Sequence, residues 1–118
     1  MVTEDTLKNN SLDGIELLEY VIEKQRQAIT DRTHSIGALK DHYILEVEKE
    51  YRESHPTDLS NADKRRYEVT RRLEEDPVYT TMKGSIDTIR VQITYDDIHL
   101  RALKRAFVIK YGPFPMAI

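Results

Sequence analysis

Five cations crowd one short stretch of the chain. Residues 60–79 read S-N-A-D-K-R-R-Y-E-V-T-R-R-L-E-E-D-P-V-Y, so Lys64, Arg65, Arg66, Arg71 and Arg72 fall within nine residues. Guanidinium and ammonium groups at this density can hold phosphates, and Tyr67 and Tyr79 could stack on bases. The competing chemistry is internal. Glu68, Glu74, Glu75 and Asp76 lie among or just after the cations, and pairs such as Glu68–Arg72 are neighbours on a helix surface. A second basic cluster, Arg101, Lys104, Arg105 and Lys110, sits where no acid occurs from residue 98 to the end.

Catalytic chemistry finds less to work with. The four histidines are His34, His42, His55 and His99, and two D-x-x-H pairs occur, Asp31/His34 and Asp96/His99. Carboxylate–histidine pairs three apart can bind metal in a bundle core. Asp31 and His34 fall on the outside of their helix, so the two pairs do not converge and no metal site is expected. No G-x-S-x-G nucleophile turn or glycine-rich phosphate loop is present. A narrow hairpin also offers no obvious ligand-sized pocket. No enzyme activity and no cofactor are expected.

The elements that carry these residues follow a seven-residue beat. Ile15, Ile22, Ile29, Ile36 and Tyr43 form one series, with Leu18, Gln25, Arg32 and Leu39 three residues after successive members. This is the a/d pattern of a coiled coil. It predicts a helix from about 12 to about 54, capped by Ser11 and stopped by Pro56. The second series is Tyr79, Ile86, Ile93, Leu100 and Phe107, with Met82, Ile89, Asp96 and Leu103 at d. Asp76-Pro77 starts that helix and Gly112-Pro113 stops it, giving about 77–111. A shorter helix is expected over about 61–75, capped by Ser60 in a capping-box arrangement with Asp63. Its apolar positions, Ala62, Tyr67, Val69 and Leu73, make only a thin stripe.

A narrow apolar stripe needs a partner helix, so the expected fold is all-α: a long antiparallel, coiled-coil-like hairpin with a short third helix, in one domain over 1–118. Aligning the helix ends places residue n near a residue numbered roughly 128 minus n. That register sets Arg32 beside Asp96 or Asp97 and brings Glu16, Glu19 and Glu23 alongside the second basic cluster. Leftover apolar surface points to a homo-oligomer. The tail 112–118 carries Phe114, Met116 and Ile118. These residues either cover the hairpin end or dock on a second subunit or partner.

Composition narrows the classes further. The 118 residues carry a net charge of −3, with 33% charged and 39% hydrophobic residues, four Gly and four Pro. The scarcity of turn residues fits long helices, and any polyanion binding must come from a local patch. Without cysteine there is no disulfide, thiolate nucleophile or thiolate-bound metal. The first ten residues, M-V-T-E-D-T-L-K-N-N, do not read as a signal peptide, and no apolar run is long enough to span a membrane.

Residues 59–110, with the basic start, the D-P-V-Y turn and the run I-D-T-I-R-V-Q-I-T-Y-D-D-I-H-L-R-A-L-K-R-A-F-V-I-K, resemble the C-terminal half of UvsY-type phage recombination mediators and related small helical phage proteins. The resemblance implies a small all-helical oligomer, cytoplasmic, and in the host cytoplasm if phage-encoded. It implies binding of single-stranded DNA through basic side chains, with a recombinase or single-strand-binding protein as further partners. In that role Lys64, Arg65, Arg66, Arg71 and Arg72 hold phosphates, helped by Arg101, Lys104 and Arg105. The basic motif of that family has no counterpart here, since 46–53 reads E-V-E-K-E-Y-R-E. The other function class is a helical interaction or assembly adaptor that binds no nucleic acid.

Overall fold

The computed structural model describes residues 3–114 and is all-α: α1 (Glu4–Ser54), a 3-10 turn (Thr57–Leu59), α2 (Ala62–Glu75) and α3 (Pro77–Tyr111), with no strand among the described residues. No helix among them is long and apolar enough to cross a membrane. The described residues pack as two compact units, one made of the chain's two ends, up to Gln27 and from Ile89 onward, and the other Ala28–Thr88.

The helix boundaries follow local chemistry. α1 begins eight residues earlier than the periodicity predicts, because Thr3 supplies the cap: its Oγ1 accepts the backbone N–H of Thr6 at 3.1 Å. Ser11, the expected cap, lies inside the helix and donates its hydroxyl to the Leu7 carbonyl. α1 ends through His55, which turns into the left-handed region at φ 46° and donates its N–H to the Tyr51 carbonyl before Pro56 forbids continuation. α2 is capped by Asn61, whose Oδ1 accepts from the Lys64 N–H at 2.8 Å. Ser60 cannot serve there, because its own backbone is helical and closes the 3-10 turn on Thr57. α3 starts and stops as its sequence predicts. Asp76 Oδ1 accepts from the Val78 N–H, Pro77 takes the first helical position, and Gly112 exits at φ 86°.

In the unit formed by the chain's two ends, α1 and α3 run antiparallel. Ile15 and Ile22 of α1 and Phe107 of α3 are buried, while Leu18, Ile93, Leu100 and Leu103 are half-buried, as an a/d seam requires. Gln25 donates to Asp96 at 2.8 Å, Arg26 pairs with Asp97, and Lys104 lies 3.6 Å from Glu19. Residue n therefore faces about 122 minus n, roughly one heptad from the end-aligned register.

In the unit Ala28–Thr88, Arg32 does not meet an aspartate: its Nε donates to Ser85 at 2.9 Å. Tyr43 donates its hydroxyl to Asp76, so the α2–α3 junction lies against Tyr43 and not against the end of α1. The last turns of α1 are taken by α2 instead. Val47, fully buried, joins Leu59 and Val69 in a small core flanked by Tyr43 and Tyr51. From Tyr43 the buried stripe steps by four, to Val47 and Tyr51, a stutter that turns it toward the new partner. End alignment assumed α3 begins opposite the end of α1, and the α2 packing explains why the register moved.

Candidate functional site

The five α2 cations meet different fates. Arg72 is the most enclosed, with only 19% of its side chain exposed. It reaches across to α1, binding Glu46 at 2.6 Å and gripping Glu50 with two nitrogens at 2.6 and 3.1 Å, while its Nε donates to Glu68 at 2.8 Å. Arg71 stays on its own helix, bound to Glu68 at 2.5 and 2.9 Å and to Glu75 at 2.9 Å. Arg65 crosses to Glu48 at 3.3 Å, donates to the Leu59 carbonyl and covers the Tyr51 ring at 4.3 Å. Arg66 pairs loosely with Asp63 on the surface, and Lys64 leans 3.3 Å from the Thr57 carbonyl and the Ser60 hydroxyl.

The electrostatics agree with this geometry. Hydrogen bonds from Arg71, then Arg72, hold Glu68 far below its ordinary value, at about 2. Both arginines are held more firmly protonated than usual, Arg71 chiefly by Glu68 and Arg72 chiefly by Glu50. The acidic run E-V-E-K-E that departs from the mediator pattern supplies the carboxylates that clasp α2 to α1. Tyr43 is raised by donating to Asp76, and Asp76 is lowered by accepting from Tyr43 and the Val78 N–H.

Of the α3 cluster, Lys104 faces Glu19, as expected of an acid-rich first helix, whereas Arg101 and Arg105 are exposed and make no ion pair among the described residues. Lys110 lies over the Tyr111 ring at 5.3 Å. The two tyrosines proposed for stacking differ: Tyr67 is well exposed, while Tyr79 is half-buried with Lys83 over its ring. Phe114 stacks on Phe107 at 4.9 Å with the rings nearly parallel, closing the end of the seam. Met116 and Ile118 lie outside the described residues.

Two features were not foreseen. One is an open groove of about 460 Å³ between α1 and α2, floored by Ile44, Val47, Ala62 and Val69 and rimmed by Lys40, Arg65 and Arg66. Ala62 and Thr70, both small, line its α2 side. It is of ligand size, but the nearest carboxylate, Glu48, is bound to Arg65 and no nucleophile–base pair lines it.

The other is the outer face of α3. Val91, Tyr95, Ile98 and Ile109, with Ala102 between them, recur at heptad positions c and f, opposite the seam, and the four large ones are 56–80% exposed. The signal was in the sequence. Reading only a and d hid it, because c and f are normally the wet side of a hairpin.

Comparisons with family models, curated proteins and solved structures found no match. The functional reading therefore rests on this chain's own surfaces. No cluster of three or more metal-ligating side chains occurs among the described residues.

Proposed function

We propose that this chain is a non-enzymatic helical assembly module that works by presenting apolar helix faces to partner proteins. The observation that carries this reading is the exposed stripe Val91–Tyr95–Ile98–Ile109. Four large apolar side chains in heptad phase on one face exceed what scattered surface residues need. The internal pairing of Arg65, Arg71 and Arg72 supports the same reading, because a phosphate would have to displace carboxylates already bound at 2.5–3.3 Å.

A second reading, single-stranded nucleic-acid binding in recombination or replication, draws on Arg101 and Arg105, which have no acidic partner among the described residues, and on the likeness of 59–110 to phage recombination mediators. In that reading the chain acts in the cytoplasm beside a recombinase or single-strand-binding protein.

Two titrations decide between them. Sedimentation over a range of protein concentrations is expected to show association without any nucleic acid. Anisotropy of a labelled single-stranded oligonucleotide at low salt is expected to stay flat. Binding that fades steeply with salt, together with a protein that sediments only as a monomer, would reverse the order of the two readings.

A further inference from the structure

Within the unit formed by the chain's two ends, both helices carry apolar side chains on the side away from the seam, and the charges around them differ in sign. On α3, Val91, Tyr95, Ile98 and Ile109 are flanked by Arg101 and Arg105, and from Ile98 to the end of the helix no acid occurs. On α1, Leu17 and Tyr20, each 60% exposed or more, and Val21 are flanked by Asp13, Glu16 and Glu23. Lys24 is the exception, and its ammonium lies over the Tyr20 ring. The α3 stripe alone exposes on the order of 400 Å² of apolar surface, comparable to the largest patch on a typical soluble monomer, which is often functional.

Resting on the assembly reading above, we propose that the occupant of the α3 outer face is the α1 outer face of a second copy of this chain. Like-to-like pairing of two α3 faces would bring Arg101 and Arg105 toward their own kind, and two α1 faces would gather six carboxylates. Pairing α3 with α1 joins apolar stripe to apolar stripe and net positive to net negative. The contact is head-to-tail: each copy uses one face to receive and keeps the other free to give. Such an interface does not close at two copies and builds a ring or a row.

The experiment is light scattering on the full chain and on two variants at exposed positions, Leu17→Asp and Ile98→Asp, with circular dichroism to confirm unchanged helicity. The wild type is expected to exceed twice the monomer mass of 13.8 kDa as concentration rises, and to shrink as salt is added. Each variant alone should stay monomeric. An equimolar mixture should stop at two copies, because one intact α3 face meets one intact α1 face. If either variant loses helicity, Tyr20→Lys and Ile109→Asp replace them.

Self-association that survives in Leu17→Asp or in Ile98→Asp alone overturns the head-to-tail contact and leaves the assembly reading standing. A mixture that remains monomeric beside an associating wild type does the same. A wild type that stays monomeric throughout overturns both.

Discussion

Arg72→Ala removes the one cation shared by Glu46, Glu50 and Glu68. A hydrogen bond to a charged group contributes about 1.5–3 kcal/mol when sheltered. Glu46 and Glu50 are 41% and 45% exposed, so solvent screens most of that. After that discount, the bonds across to α1, together with the repulsion left among three carboxylates, give an expected loss of about 2 kcal/mol at neutral pH. Arg71→Ala breaks only bonds within α2 and should cost much less than Arg72→Ala.

Urea melts followed by helical circular dichroism measure both, since urea leaves the charges unscreened. The pH dependence adds a second readout. Glu68 is depressed from 4.5 to about 2, so its contribution is complete above about 4.5 and is lost as pH falls toward 2. The Arg72→Ala deficit should narrow across that window, and only partly, because Arg71 still holds Glu68. Equal losses from Arg71→Ala and Arg72→Ala would refute the claim that Arg72 clasps α2 to α1, and a deficit that does not change with pH would refute its hold on Glu68.

Further outcomes follow from single sites. His55→Gly should raise stability by about 1 kcal/mol in the same urea melts, because φ 46° suits a residue without Cβ. Val47→Ala should cost about 2 kcal/mol by emptying the one fully buried side chain of the α1–α2 core. Tyr43→Phe removes the donor that depresses Asp76, so the Asp76 carboxyl titration followed by NMR should move to higher pH.

The isoleucine series made the two long helices legible, since seven-residue spacing on a chain with few breakers admits little else. The α3 boundaries were equally plain, because Asp76-Pro77 and Gly112 act through their own backbone chemistry. The start of α1 was hidden because the first eight residues of the helix carry little of the seam pattern, and a threonine cap at position 3 looks like any other threonine. The register was not legible for a different reason. Repeating isoleucines fit one another in several alignments, and what chose among them was tertiary: α2 occupying α1 beyond Tyr43, and Gln25 meeting Asp96. The α2 cations were visible as a cluster. Their partners Glu46, Glu48 and Glu50 lay a loop away, and only folding brings them into reach.

The pairings nest. Glu50 meets Arg72 across 22 residues of chain, Tyr43 meets Asp76 across 33, Arg32 meets Ser85 across 53 and Gln25 meets Asp96 across 71. Closing a loop costs more entropy as it lengthens, and each inner closure shortens the loop the next one must close. A newly made chain that fastens the Val47–Leu59–Val69 cluster first can then zip outward step by step. Pulse-labelled hydrogen exchange during refolding would show that order as protection arriving around Val47 and Val69 before Ile15 and Phe107.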